Sequence, residues 1–388
     1  MDNQVIQHRL SLLREQMLKD NIDYYMIPTA DFHSSEYVSD YFKVREHFCG
    51  FSGSNGTLLV WQEGAGLWTD GRYFIQAQQE LEGTGVELFR MMEEGVPTIA
   101  EFLTERLQTG QTLGFDGRVI SASAGKRYEE CFEKAGKEIN IMYRKDLAEG
   151  IWTERPAFPA GRVTVLAAEL VGCSVADKLK AVREKLREAG AEELLLTKLD
   201  DLMWLFNIRG CDVECNPVAM SYGYITQNTA VIFMQEQAVD AEMRAYLAAN
   251  SVELRDYREI ESYLEELDAG RRILMDMRYC SYAFYRQLAF SHIVCDAPNP
   301  TESLKAVKNP VELANMREIY LKDSVALTRF IYWLKSNIGK VRLTEVDAAD
   351  KLEEFRREIP EFLGLSFPTI AGYGSNAAMM HYEAALEH

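Results

Sequence analysis

A helix followed directly by a short buried strand occurs twice in this chain, and this duplication limits the folds that the chain can adopt. The helical apolar positions of the first copy, before the apolar run 24–27, are Ile6, Leu10, Leu13 and Met17. Those of the second copy, before the run 194–196, are Val175, Leu179, Val182 and Leu186. Spacing of three to four residues is typical of one buried helix face. We therefore predict two related α/β units, each a mixed β-sheet with flanking helices.

Two further segments extend the repeat. FCGFSGSNGTLLV at 48–60 is matched to WLFNIRG at 204–210 together with NTAVIFM at 228–234, because both have an apolar turn, a glycine and then a strand. In the first unit the run 67–69 leads through Asp70 and Gly71, a pair typical of a tight hairpin, into a strand predicted at 73–75.

Proline and glycine divide the chain of 388 residues, a length that suggests two or three domains. The stretch ERPAFPAGR has no periodicity, and APNPTESLKAVKNP contains three prolines among polar residues. We place one domain at 1–159, a second at 160–302 and a third segment at 303–385. The final residues 386–388 read Leu-Glu-His and are interpreted as a remnant of a purification tag.

Two helices are predicted in the third segment, at 310–336 and 344–358. Asn309, Pro310 and Glu312 are a start signal for the first helix, and Thr344 with Asp347 forms a capping box for the second. Two helices cannot close a core alone. We expect their apolar faces to dock on the second domain, to pair with another chain or to be poorly ordered.

Charge and composition exclude several classes of partner. A net charge of −18 disfavours nucleic acid, since phosphate binding needs clustered Lys and Arg. No apolar run reaches the length of a membrane span, so we expect no membrane contact and a cytoplasmic location. The seven cysteines are scattered and are interpreted as reduced thiols. Cys211 and Cys215 flank two acidic residues, but a loop interpretation is favoured over a metal clip.

The residues alone give few candidates for chemistry. Arg72 could present its guanidinium to a carboxylate, but support of a turn by its neighbour Asp70 is favoured, and the same reasoning applies to Arg209 and Asp212. The loop GFSGSNG at 50–56 is interpreted as a structural turn rather than a ligand cradle.

His381 follows an apolar run that could bring an imidazole to the rim of a buried site. There it could orient a carbonyl group or move a proton. A packed core histidine is the alternative from spacing alone. His33, His47 and His292 have weaker claims.

Several motifs in order resemble one family. They are LWTDGRYFIQAQQEL, IWTERP, LDDLMWLFNIRGCDVECNPV, AVKNPVELANMR, KDSVALTRFIYWL, TEVDAADKLEEFRR and LSFPTIAGYGSNAAMMHY. Together they closely resemble aminopeptidase P, the Xaa-Pro aminopeptidase, in its three-domain form. The resemblance implies two creatinase-like N-terminal domains followed by the start of a pita-bread catalytic domain of α+β type, represented here mainly by two helices.

The resemblance also implies a function. The family removes the N-terminal residue from peptides with proline in second position, and it uses two divalent metal ions, commonly manganese. Its five metal ligands, two aspartates, one histidine and two glutamates, lie downstream of the HY motif. We therefore expect the catalytic domain to be truncated here, with no metal ligand in this chain and no activity of the chain alone.

By resemblance, His381 matches a family histidine that binds near the scissile carbonyl and could shuttle a proton. Arg72 matches an arginine of the DGR motif that could approach the mouth of the active site, although structural support remains the favoured interpretation. The family's creatinase-like domains shape access to the cleft and can contribute subunit contacts, which makes a homodimer possible.

Three alternatives stay open. A proline dipeptidase shares the catalytic fold but accepts only dipeptides and usually has a shorter N-terminal region. A metal-free creatinase-like hydrolase would use His381 as a general base. A catalytically dead relative would act as a binding or scaffold protein.

Overall fold

The computed structural model describes residues 2–385. The predicted tag remnant at 386–388 lies outside the described residues. Within the described part no helix is both long and apolar enough to cross a bilayer, although the longest has 28 residues.

The first unit is a six-stranded mixed sheet with helices on its faces. Its elements are α1 (Asn3–Lys19), β1 (Tyr24–Pro28), α2 (Val44–Cys49), β2 (Thr57–Trp61), β3 (Gly64–Thr69), α3 (Phe74–Glu80), β4 (Glu87–Arg90), α4 (Ile99–Arg106), β5 (Thr112–Phe115), α5 (Ala122–Lys134) and β6 (Asn140–Met142). The strand order is β4-β3-β2-β1-β5-β6. Strand β1 pairs antiparallel with β2 and parallel with β5, so the sheet is mixed as predicted.

The second unit repeats this topology. Its elements are β7 (Thr164–Val165), α6 (Ala168–Val171), α7 (Val175–Glu188), β8 (Glu193–Leu196), α8 (Leu199–Phe206), β9 (Ile208–Arg209), β10 (Ser221–Thr226), β11 (Ala230–Met234), α9 (Ala241–Ala249), β12 (Glu253–Asp256), α10 (Ile260–Glu265), β13 (Arg272–Met275), α11 (Tyr282–Leu288) and β14 (Ile293–Asp296). The main sheet has the order β12-β11-β10-β8-β13-β14, and β7 and β9 form a separate pair. The predicted duplication and the α/β class are confirmed.

One detail of the predicted duplication is wrong. The segment TLLV lies in β2, whose counterpart by sheet position is β10, whereas the matched segment NTAVIFM lies in β11, the counterpart of β3. Short apolar runs look alike whichever strand they form, so their sequence does not report their place in the sheet.

The hairpin predicted at Asp70 and Gly71 is also wrong. The chain turns there into helix α3, so the predicted strand at 73–75 is absent. Strands β3 and β4 pair in parallel, and a parallel pair needs a crossover connection, which α3 provides. The tight hairpin lies earlier, where Trp61 of β2 pairs with Gly64 of β3.

The two units meet where α5 and α11 begin. The N–H of Ala122 donates to the carbonyl oxygen of Cys280 at 2.8 Å, and the N–H of Tyr282 donates to that of Ile120 at 2.7 Å. Gly125 of α5 lies against the ring of Tyr282, where an added Cβ would be 2.1 Å from the ring. The absence of a side chain at this glycine therefore permits the close approach of the two helices.

The third segment contains both predicted helices. Helices α12 (Pro300–Ala306), α13 (Pro310–Asn337) and α14 (Glu345–Arg357) follow the second unit. The predicted capping box of Thr344 and Asp347 is formed, and the predicted N-cap Asn309 also forms one with Glu312. The N-terminus of α13 docks on the second unit, where Asn309 Nδ2 donates to the carbonyl oxygen of Val171 at 2.8 Å. Helices α13 and α14 pack on each other but leave Tyr320, Leu321 and Tyr332 at least 65% exposed. The domain boundaries themselves stay predictions.

A buried ion pair joins this segment to the second unit. Asp201 of α8 is fully buried, and its carboxylate accepts from Lys305 Nζ at 2.7 Å and from Thr301 Oγ1 at 2.8 Å. Lys305 also pairs with Asp200, which is more exposed.

We expect Asp201→Ala to lower the free energy of unfolding by about 2 kcal/mol, because it removes two hydrogen bonds to a buried charge. The control Asp200→Ala should cost less than about 1 kcal/mol, since its pair faces solvent. Thermal unfolding of both variants checks the order, and equal losses would contradict it.

Candidate functional site

Two residues that the sequence indicated separately, Arg72 and His381, contact each other. Arg72 Nη1 lies 3.3 Å from His381 Nε2, although 309 positions separate them. The imidazole also lies 5.5 Å from the ring centroid of Tyr73. The contact brings the turn after β3 to the last described residues of the chain, so this corner is the candidate site.

Asp70 holds the guanidinium of Arg72 from the opposite side. Arg72 Nε donates to Asp70 Oδ1 at 2.8 Å, and Arg72 Nη2 donates to Asp70 Oδ2 at 2.9 Å. These hydrogen bonds lower the pKa of the Asp70 carboxyl and raise that of the Arg72 guanidinium. The pair stays charged throughout the neutral range, and Nη1 is directed at His381. Thus the predicted support of the turn is present, together with a contact that the turn alone does not require.

The ring of Tyr73 lies against both Arg72 and His381. The residue is 1% exposed, and its hydroxyl lies 2.6 Å from Ser54 Oγ. Its ring also lies 5.2 Å from the guanidinium carbon of Arg72, within cation–π range. A buried ring with an anchored hydroxyl gives both neighbours a fixed surface.

The loop at 50–56 supports the site. Arg45 donates to the carbonyl oxygens of Phe51 and Gly53, and Asn55 Nδ2 donates to Asp70 Oδ2 at 2.6 Å. The interpretation as a structural turn agrees with these contacts. The loop also has a second role, because it contributes a donor to the ion pair.

Glu345 orders the segment that carries His381. Its carboxylate accepts from the hydroxyl of Tyr382 at 2.7 Å and from Asn376 Nδ2 at 3.1 Å. These donors lower the pKa of Glu345. Since Glu345 is the first residue of α14, the terminal loop is tied to that helix beside His381.

The Asp–x–Arg turn recurs in this fold, a signal in the sequence that the predictions missed. Three other turns have an arginine Nε donating at 2.9 Å to the aspartate two positions earlier: Asp116–Arg118, Asp256–Arg258 and Asp276–Arg278. Their guanidinium groups differ in surroundings. Arg118 lies over Phe32, the Arg258 side chain is 82% exposed, and Arg278 reaches Glu302. The turn itself is structural, and its surroundings decide what the arginine contacts.

The other histidines lie elsewhere. His33 is buried between the units, with Nδ1 2.9 Å from the carbonyl oxygen of Thr197 and Nε2 2.8 Å from the hydroxyl of Tyr257. His47 stacks on Trp152 at 4.2 Å. His33 is thus held by hydrogen bonds and His47 by ring stacking, and neither lies at the candidate site.

Arg209 and Asp212 do not satisfy each other as predicted. Asp212 accepts from the backbone N–H groups of Gly161 and Met220, and Arg209 donates to the carbonyl oxygen of Ile208. The cause is burial of Asp212, where backbone donors replace the predicted guanidinium.

The described residues do not fit a metal centre. Between residues 2 and 385 no three His, Cys, Asp or Glu side chains lie together as a metal would require. The clip considered at Cys211 and Cys215 therefore lacks further ligands in that range, and all seven cysteines are free thiols. At the candidate site, His381 is accompanied by a guanidinium, which can only donate and cannot bind a metal ion.

Comparison with known families covers nearly the whole chain. Residues 9–142 and 154–312 each match a family described as the Creatinase/Prolidase N-terminal domain. Residues 314–387 match metallopeptidase family M24. These matches indicate two creatinase-type domains followed by a stretch similar to metallopeptidase family M24.

Individual relatives agree. The probable Xaa-Pro aminopeptidase P of Fusarium vanettenii is 37% identical, with 96% of this chain and 63% of the relative covered. That of Podospora anserina is 36% identical, with 97% and 57% covered. The crystal structure of X-prolyl aminopeptidase from Caenorhabditis elegans, described as a cytosolic enzyme with a di-nuclear active site, matches with a TM-score of 0.91 and 30% identity. The match covers 100% of this chain and 65% of the Caenorhabditis elegans chain.

The chain is thus similar to the Xaa-Pro aminopeptidase P proteins, so the predicted resemblance and the predicted α/β class with two creatinase-like domains are confirmed. The truncation of the catalytic domain stays a prediction. The chain spans 57–63% of the length of these two curated relatives.

Proposed function

We propose that this chain is part of an Xaa-Pro aminopeptidase. Such an enzyme is a metal-dependent hydrolase that releases the N-terminal residue from peptides with proline in second position. One observation carries the proposal: His381 of the M24 segment and Arg72 of the first creatinase-type domain meet at one site. Proline makes a dedicated site necessary, because an Xaa-Pro bond has no N–H and a restricted geometry.

In this proposal His381 and Arg72 both contact the peptide substrate. The imidazole would orient the scissile carbonyl or move a proton, and the guanidinium would donate hydrogen bonds to a peptide carbonyl or carboxylate. The fixed ion pair with Asp70 limits the motion of Arg72, so little conformational entropy is lost on binding.

The metal is a separate part of the proposal. Family M24 and the di-nuclear relative support divalent ions, and we propose two manganese ions in the active enzyme. When bound, such ions activate water and polarise the carbonyl group. Because the resemblance places their ligands after Tyr382, we propose that these 388 residues alone do not hydrolyse peptides.

The experiment compares peptide cleavage by this chain and by the full-length native protein. With manganese, the full-length protein should cleave an Xaa-Pro-Xaa tripeptide faster than an Xaa-Pro dipeptide, and this chain should cleave neither. Preference for the dipeptide would point to a proline dipeptidase, and cleavage unaffected by chelators to a metal-free hydrolase. No cleavage by either protein would support a binding or scaffold role. Tight stoichiometric manganese with turnover by this chain would refute its proposed inactivity.

Location and assembly are also proposals. The relative from Caenorhabditis elegans is described as cytosolic, and we propose a cytoplasmic location and a homodimer for the active protein. Cell fractionation and light scattering of the full-length protein test these two points.

Arg72→Ala provides a test of the site itself. We expect kcat/KM of the full-length protein for an Xaa-Pro-Xaa peptide to fall about 30-fold, the equivalent of one charged hydrogen bond of about 2 kcal/mol. Arg258→Ala is the matched control, since it removes an arginine from the same kind of turn at an exposed position. An unchanged rate in Arg72→Ala would contradict a substrate contact.

A further inference from the structure

We propose that Asp70 and Asn55 are positioning residues that set the tautomer of His381 through Arg72. This inference deepens the proposed function, and the activity measurement described below rests on that function. It begins with the donors that converge on one carboxylate. Asp70 accepts from Arg72 Nε, from Arg72 Nη2 and from the Arg72 backbone N–H at 3.1 Å, and a fourth donor is Asn55 Nδ2.

Asn55 is itself anchored, so the fourth donor does not depend on a flexible chain. Thr69 Oγ1 donates to the carbonyl oxygen of Asn55 at 2.6 Å, and Thr69 is fully buried at the end of β3. The amide therefore reaches Asp70 from a fixed backbone. The carboxylate is held by two separate segments, the loop at 50–56 and the turn after β3.

This arrangement determines which guanidinium edge is free. The Nε and Nη2 edge is occupied by Asp70, which leaves Nη1 facing His381 Nε2 at 3.3 Å. A guanidinium can only donate, so the contact requires an unprotonated Nε2 that accepts. The neutral imidazole then has its proton on Nδ1, because the partner of one ring nitrogen decides where the proton lies.

The consequence concerns substrate. In the Nδ1–H imidazole the lone pair of Nε2 accepts from Arg72 and the N–H of Nδ1 remains as a donor, whereas without the guanidinium contact both tautomers would be available. The side-chain hydrogen bonds of Asn55 and Asp70 described here join them to each other and to Arg72, so both residues act on His381 through Arg72. They lie in the first creatinase-type domain, which thereby tunes a residue of the M24 segment.

The first arm of the test uses this chain and needs no metal. Nitrogen-15 NMR of the imidazole at pH 8 should show His381 mainly as the Nδ1–H tautomer in the parent chain. Asp70→Asn, Asn55→Ala and Arg72→Ala should each shift the population towards Nε2–H. Asp256→Asn, in an equivalent turn away from the site, should leave it unchanged.

The second arm measures activity of the full-length protein. Asp70→Asn should lower kcat/KM about 10-fold, or about 1.4 kcal/mol, but less than twofold when Arg72 is already alanine. Such non-additivity is expected only of a residue that acts through Arg72. Equal losses in both backgrounds would overturn the inference.

The two arms separate the inference from the proposed function. If Arg72→Ala leaves activity unchanged while the tautomer still responds to Asp70→Asn, the substrate role fails and the positioning role stands. An imidazole tautomer that is insensitive to Asp70→Asn, in a variant with the parent's melting temperature, would overturn the positioning role.

Discussion

Replacing Gly125 with leucine should lower the free energy of unfolding by about 3 kcal/mol, at the upper end of overpacking effects. Gly125 lies in α5, where it faces the ring of Tyr282 on α11, and an added Cβ would meet that ring at 2.1 Å. The ring has little freedom to move away. Tyr282 is buried, and its hydroxyl donates to Glu129 at 2.7 Å and accepts from Arg286.

Two further variants give the prediction its scale. Gly125→Ala should have a smaller effect, because better helix propensity of about 1 kcal/mol offsets part of the clash. Gly364→Leu is the control, since no atom lies within 4 Å of an added Cβ there. Melting temperatures measured by circular dichroism should fall in the order Gly364→Leu, Gly125→Ala, Gly125→Leu. A leucine at 125 that leaves the melting temperature unchanged would show that the units do not pack through this contact.

The duplicated architecture could be predicted because apolar spacing directly reports a helix face. Ile6 to Met17 and Val175 to Leu186 form the buried faces of α1 and α7, as predicted. The strand connections could not be predicted in the same way. Whether Asp70 and Gly71 lead into a hairpin or into a crossover helix depends on the parallel pairing of β3 with β4, which is not local information.

The sequence predicted individual residues of the candidate site but not the contact between them. Arg72 and His381 were both indicated by resemblance, but no pattern of spacing could pair residues 309 positions apart. The repeated Asp–x–Arg pattern is present in the amino-acid sequence, and it would have identified this turn as a recurring structural turn. What distinguishes Arg72 from Arg118 and Arg278 is its surroundings, and these arise only from tertiary packing.

The interface between the two units contains contacts that sequence patterns do not predict. Tyr222, Tyr257 and His33 come from separate elements, and the two tyrosine hydroxyls lie 3.1 Å apart beside the imidazole. A lone histidine has no periodicity that would reveal such a partner. The result is an uncharged polar network inside the interface, with Asp31 close enough to oppose the effect of burial on the pKa of the histidine.

Two histidines, His33 in that network and His47 outside it, make stability depend on pH. Burial lowers the pKa of His33 from its usual value, and burial with two nearby arginines lowers the pKa of His47 to about 4. In the unfolded chain both titrate near about 6.5. Below that pH the unfolded state therefore binds more protons than the folded state, so acidification favours unfolding. Both histidines should therefore lower the free energy of unfolding as the pH falls below about 6.5. His47 is partly exposed and should contribute less than about 1.4 kcal/mol per pH unit between about pH 6.5 and 5.

Urea unfolding at pH 7.5, 6.5, 5.8 and 5.0 measures this slope. His33→Gln should flatten it by up to about 1.4 kcal/mol per pH unit, whatever the variant costs at pH 7.5, because the slope counts protons and not contacts. His8→Gln is the control, since His8 is exposed on α1, away from this interface. If the free energy of unfolding of His33→Gln changes with pH as steeply as that of the parent, the His33 imidazole gains its proton without loss of the folded state. The interface would then have to supply an acceptor to His33 Nε2, which the Tyr257 hydroxyl can do because it donates its own proton to Tyr222.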